Sequence, residues 1–221
     1  MVAQRVLIAA ARKAVEGKEI NMKKVPYLLT IIACVLFSSA SFAQTDEEHI
    51  KSLETRAARG DAEAQHLLGT SYHEGRHGLK QDYAKAFEWF EKAARQGDMR
   101  AQNSIGNMYR DGEGLRMDYV EARKWWKKAA KQGYSRAQNS LGNLYKLGRG
   151  VKLNYAKALE WYEKAVAQNN YNAQYNLGVL YRDGKGVKQD YATSKEWFVK
   201  ACDNGNKGGC DEYKKLGEQG H

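Results

Sequence analysis

Arg100, Asn103, Asn107 and Arg110 are separated by 3, 4 and 3 residues, a spacing that places them on one helical stripe. Arg136, Asn139, Asn143 and Lys146 repeat it 36 residues later, and Asn172, Tyr175, Val179 and Arg182 repeat it again. Glu63, His66, Thr70 and His73 hold the stripe nearest the N-terminus. An asparagine amide both donates and accepts, so it can pair with a peptide backbone whatever that peptide's sequence. Flanking guanidinium and ammonium groups hold carboxylates, arginine in a two-pronged geometry. The chemistry these types offer is recognition of an acidic protein segment, extended or helical. Asparagine is a poor helix former, so its recurrence on one stripe needs a reason, and a ligand supplies one. The competing reason is that stacked asparagines bond one another between repeats or face water.

Bond-making chemistry finds no constellation. The sequence holds no S-x-x-K with S-D-N and K-T-G, no G-x-S-x-G, no H-E-x-x-H and no phosphate-binding glycine loop. His66 and His73 could share a face with Glu63, but solvated polar residues explain them better, so no metal, cofactor or catalytic residue is expected.

The elements that position the stripes follow from a period. Trp89, Trp125, Trp161 and Trp197 are 36 residues apart, as are Tyr83, Tyr119, Tyr155 and Tyr191. Gly106, Gly142 and Gly178 keep the step, and Gly69 lies 37 before Gly106. Each copy reads as two helices. Helix A runs over about Ala101–Arg110 and stops at Asp111-Gly112, a glycine C-cap. Asp118 or Asn154 caps helix B, whose apolar face carries Tyr119, Ala122, Trp125, Trp126 and Ala129. The mid-helix glycine costs about 1 kcal/mol against alanine and falls on the packing side, where it lets two helices approach closely. One hairpin cannot bury its face alone, whereas stacked copies share a core. The predicted fold is all-α, a solenoid of about four helix-turn-helix repeats: 62–98, 99–134, 135–170 and 171–206. Residues 44–61 resemble a lone helix B and 207–221 a lone helix A, as caps.

The pattern A-Q-x-x-[LI]-G-x-x-Y-x-x-G-x-G, followed by W-[FYW]-x-K-A, resembles the Sel-one-like repeat, a relative of the tetratricopeptide repeat. Ala64-Gln65, Leu68-Gly69, Tyr72, Gly75, Tyr83, Ala86, Trp89 and Lys92-Ala93 carry the resemblance, with their later counterparts. It implies a right-handed α-solenoid that scaffolds protein complexes, and no single activity. The stripe is similar to the clamp by which some tetratricopeptide domains hold an acidic C-terminus.

"MKKVPYLLTIIACVLFSSASFAQ", from Met22, has the basic, apolar and small-residue regions of a secretory signal. Residues 22–43 are expected to leave by a cut after Ala43, giving a periplasmic or secreted chain with no membrane insertion after cleavage. The apolar core continues past Cys34, which argues against a lipoprotein cut there. Residues 1–21 read as an upstream misreading before the true start at Met22, because Glu16-Gly17-Lys18-Glu19 needs purine-rich codons where a bacterial ribosome-binding site would lie. The formal net charge is +10, of which residues 44–221 keep +6. That favours acidic partners, but no nucleic-acid reader motif accompanies it.

Cys202 and Cys210 remain after signal removal. Cys202 stands where Ala94, Ala130 and Val166 stand in other copies, and Cys210 where Gln102, Gln138 and Gln174 do, so the two face each other across the last turn. An even pair in an exported chain is expected to form a disulfide. The spacing is also similar to the cysteine-rich branch of the family, some members of which resemble β-lactamases or penicillin-binding proteins. That branch implies the alternative function, a hydrolase, against the expected non-enzymatic adaptor.

Overall fold

The computed structural model describes residues 45–220, which are helices and turns with no strand among them. Helix α1 covers residues 45–58. The repeats follow as pairs: α2 (Ala62–Glu74) with α3 (Tyr83–Arg95), α4 (Met99–Asp111) with α5 (Tyr119–Lys131), α6 (Ser135–Leu147) with α7 (Tyr155–Val166), and α8 (Tyr171–Asp183) with α9 (Tyr191–Asp203). Helix α10 (Lys207–Glu218) closes the array. From α2 onward each helix packs on its neighbours in sequence, as an α-solenoid does. The targeting segment and the proposed upstream residues lie outside the described residues.

Local chemistry sets the helix boundaries. Asp82, Asp118, Asn154 and Asp190 cap the second helix of each pair, each side chain accepting from a backbone N–H in the first turn. Each first helix stops at a glycine: Gly112 has φ 71°, and its N–H returns to the Met108 carbonyl. Alanine there would carry the strain of a left-handed backbone.

The mid-helix glycines meet an aromatic ring. A Cβ on Gly106 would lie 2.5 Å from Cδ1 and Nε1 of Trp126. Gly69 faces Phe90, Gly142 faces Tyr162 and Gly178 faces Phe198 in the same way. These four rings are buried. The tryptophans that mark the period stand one residue earlier and are only half-buried. Trp125, Trp161 and Trp197 pack instead on the core cluster that joins the preceding pair to their own. Their outer faces are covered by the lysine three residues on, with Lys92 3.9 Å from the Trp89 ring centre and Lys128 3.8 Å from that of Trp125.

Each core cluster joins the second helix of one pair to the first helix of the next. Ala86, Phe90, Ala93 and Ala94 of α3 pack with Ala101, Ile105 and Met108 of α4. Ala122, Trp126, Ala129 and Ala130 of α5 do so with Ala137, Leu141 and Leu144 of α6. At the start, Ile50, Leu53 and Ala57 of α1 complete the surface of α2 at Ala64 and Leu68.

Buried glutamines pin the first three of these junctions, and at the fourth Gln174 accepts from Asn204 at 3.1 Å. Gln65, Gln102 and Gln138 donate to the carbonyls of Ala57, Ala94 and Ala130 at 3.0, 3.2 and 3.3 Å. Their own oxygens accept from Gln96, Gln132 and Gln168 at 2.8, 2.9 and 3.0 Å. Both ends of each buried amide are thereby satisfied. At the last junction Cys210 takes the glutamine position, and its sulfur is bonded to Cys202 with the Cα atoms 4.7 Å apart. A covalent bond stands where a hydrogen bond ties the earlier junctions.

Gly106→Ala tests the ring-on-glycine contact. Propensity alone would stabilise the helix by about 1 kcal/mol, but the added methyl must displace Trp126. Urea unfolding is expected to show a net loss of about 1–3 kcal/mol, the usual cost of overpacking; a gain in stability would refute the contact's role.

Candidate binding groove

The first helices of neighbouring pairs place their stripes side by side, and a polar groove of ≈ 570 Å³ runs along them. Asn103, Asn107 and Arg110 of α4 line it, with Arg136 and Asn139 of α6 and Asn172 of α8. Gln168, Asn169, Asn170 and Tyr171, from the turn between α7 and α8, form one end. The stripe residues of the second and third repeats thus share one surface with the start of the fourth.

Within that surface the residues differ in how committed they are. Asn107 makes no side-chain hydrogen bond, and exposed Arg136 no ion pair, among the described residues. Asn139 accepts from Asn176 at 3.0 Å and Asn172 accepts from Asn206 at 3.1 Å, so both bonds use the amide oxygens and not the amide N–H groups. Asn103 is 8% exposed, and its buried Oδ1 has no donor. The sequence spacing put it on the binding stripe with Asn107; the structure buries it at the edge of the groove.

Other predicted residues serve the fold. Asn143 Oδ1 accepts a 2.8 Å hydrogen bond from the buried Tyr162 hydroxyl. Burial drives that hydroxyl's pKa far above the ordinary tyrosine value, so it stays a donor. Lys146 gives its ammonium to Asn176 at 2.6 Å. Burial, and then the nearby Lys185, lower its pKa against the pull of Asp183. Arg182 is held by Asp183 and Glu212; burial works to lower its pKa, but these two acids prevail and raise it. Arg100 pairs with Asp98 at 2.8 Å, and Tyr175 lies against Phe198 with ring centres 5.6 Å apart. In the first repeat, His73 meets Glu113 at 2.7 Å.

Arg110 stands apart. Its Nε and Nη2 engage neighbouring Asp111, which raises its pKa. It also lines a second pocket of ≈ 270 Å³ beside the groove, with Tyr119, Trp126, Ser140, Asn143, Leu144, Leu147 and Arg149. The sequence reading missed Arg149, which lies on the turn after α6 and outside the helical spacing that defined the stripes. Among the described residues no group of three or more His, Cys, Asp or Glu could hold a metal ion.

Comparison with known proteins places this geometry in a family. The Sel1 repeat matches residues 62–98, 100–134, 135–170 and 172–206, and the chain belongs to the Sel1 repeat family. The protective antigen c5321 of uropathogenic Escherichia coli, which displays an SLR fold, is 36% identical with a TM-score of 0.72, over 77% of this chain and 36% of that one. A Sel1 repeat protein from Oxalobacter formigenes is 33% identical with a TM-score of 0.71, over 76% of this chain and 68% of that one. The ERAD-associated E3 ubiquitin-protein ligase component HRD3A of Arabidopsis thaliana is 38% identical over 69 residues, 31% of this chain. The matched stretch spans 10% of that curated relative's length. Sel1 repeat proteins are generally non-enzymatic scaffolds that bind other proteins.

The equivalent asparagines of two neighbouring stripes separate under mutation. Asn143→Ala strands the Tyr162 hydroxyl and is expected to cost about 1–3 kcal/mol, whereas Asn107→Ala should stay within about 0.5 kcal/mol of wild type. Denaturant titration of both variants reads the difference; equal losses would make the whole stripe structural.

Proposed function

We propose that this Sel1 repeat protein is an exported adaptor whose groove binds an extended, acidic segment of a partner protein. The observation that carries the reading is the groove's inventory of uncommitted donors. The amides of Asn107, Asn139 and Asn172 and the guanidinium of Arg136 share one surface, where the Asn139 and Asn172 oxygens are already taken by Asn176 and Asn206. Amides of this kind suit a peptide backbone, and the arginine suits its acidic side chains. HRD3A is named as a component of a ligase, a part within an assembly, which agrees with an adaptor's work. Export rests on the targeting segment of residues 22–43 and on a cysteine pair suited to an oxidising compartment.

The groove is tested by cross-linked capture from the native envelope fraction, with the full chain as bait. A partner held by wild type is expected to fall at least about tenfold with the Asn107→Ala, Arg136→Glu double variant, the loss of one charged contact and one neutral hydrogen bond. Equal recovery would move the interface off the groove. Export is tested by the N-terminal sequence of the mature protein, expected to begin at Gln44; a chain retaining residues 22–43 in the cytoplasm would overturn it.

A further inference from the structure

A basic residue ends the first helix of every pair, and at three of the four junctions the next repeat answers it. His73 meets Glu113 at 2.7 Å. Lys146 donates to Asn176 at 2.6 Å. Arg182 pairs with Glu212. Arg110, the remaining member, finds no such partner, because the positions that supply one elsewhere are changed. Ser140 occupies the place of Asn176 and Glu212 in the 36-residue register and is too short to reach. Arg149 occupies the place of Glu113 and reverses its charge. Leu147 stands where Asp111 and Asp183 stand and is 51% exposed.

These substitutions leave an open pocket. Arg110, Ser140 and Arg149 line it with the apolar surfaces of Tyr119, Trp126, Leu144 and Leu147. Asp111 engages Arg110 through Nε and Nη2, leaving the remaining guanidinium nitrogen unpaired. Arg149 donates to the Tyr119 hydroxyl at 3.3 Å and has no ion pair among the described residues. Trp126 is 1% exposed, and its indole N–H has no acceptor. The pocket therefore holds one positive charge beyond its own acid, next to apolar walls.

We propose that this junction is a socket for the C-terminal residue of the partner, its free carboxylate between Arg110 and Arg149 and its aliphatic side chain against Trp126, Leu144 and Leu147. Cation pair and apolar wall lie within one small volume, so a single residue must answer both. A chain-terminal aliphatic residue carries a carboxylate and an apolar side chain on the same carbon. The socket opens beside the groove, with which it shares Arg110 and Ser140, so the proposal rests on the groove reading and fixes where the bound segment ends.

The probe is N-acetyl-leucine, titrated into the ¹⁵N-labelled full chain while the Trp126 indole resonance, identified by its loss in Trp126→Phe, is followed. N-acetyl-leucine amide and N-acetyl-glutamate α-amide are the control arms. The acid is expected to shift the resonance and saturate in the millimolar range, as a ligand this small should, with neither control shifting it. Ser140→Glu supplies the missing internal acid, as Glu212 does for Arg182, and should weaken binding at least about tenfold. Arg149→Glu should do the same, and either variant alone suffices if the other fails to fold. No shift, an equal shift with the amide, or unchanged affinity in both variants would overturn the socket. A shift from the glutamate derivative as strong as that from N-acetyl-leucine would replace the chain end by an acidic side chain and overturn the terminal assignment. Equal capture by the groove variant while the titration stands overturns the groove reading alone, whereas capture lost in that variant with no shift in the titration overturns the socket alone.

Discussion

Every hairpin of this array depends on an aromatic ring resting on bare backbone. Phe90, Trp126, Tyr162 and Phe198 each occupy the space that a side chain would fill on Gly69, Gly106, Gly142 and Gly178. The ring gains burial, and the helices approach closely enough for the small alanines at Ala101, Ala122, Ala129 and Ala137 to make contact in turn. The helix tolerates its glycine because the loss of about 1 kcal/mol in propensity is offset by burying a whole ring. Tyr162 adds a further demand: its hydroxyl must be satisfied, and Asn143 is drafted to do it.

The sequence repeat and the packing unit are out of step. The chain repeats as first helix then second helix, but the apolar clusters join a second helix to the following first helix. A set of whole repeats therefore leaves two incomplete surfaces, one at each end. Helix α1 completes the first with Ile50, Leu53 and Ala57, and α10 completes the last with Gly209 and Leu216. The glutamine bridges lie on these same junctions, so polar registration and apolar burial coincide.

Periodicity made the fold legible. Four tryptophans and four tyrosines at one spacing locate the hairpins, and the capping residues follow from helix chemistry. Which large residue is buried was less so: Trp125 and Trp126 look alike as a pair, and only the opposing glycine distinguishes them. The glutamines at Gln65, Gln102, Gln138 and Gln174 were visible as a repeated letter, but their partners at Gln96, Gln132, Gln168 and Asn204 lie 30 or 31 residues away. Helical spacing puts Asn107, Arg136, Asn139 and Asn172 on neighbouring stripes, and they line one pocket. It could not foresee that Asn143 answers a hydroxyl on another helix or that Arg182 answers an acid on the next. A stripe states which way a residue leaves its helix and nothing about what arrives from across the gap.

The four repeats are near copies, yet the array they make is not the same at its two ends. Helices in such a stack hold one another only by adjacency, so order is lost by peeling inward from an end. The Cys202–Cys210 link ties α9 to α10, whereas Ile50, Leu53 and Ala57 hold α1 to α2 through apolar contact. Peeling therefore has a preferred direction, from α1 toward the locked end. A protein pulled, nicked or warmed would open its first junctions while the last kept their shape, so the stack behaves as a zipper with one end stitched.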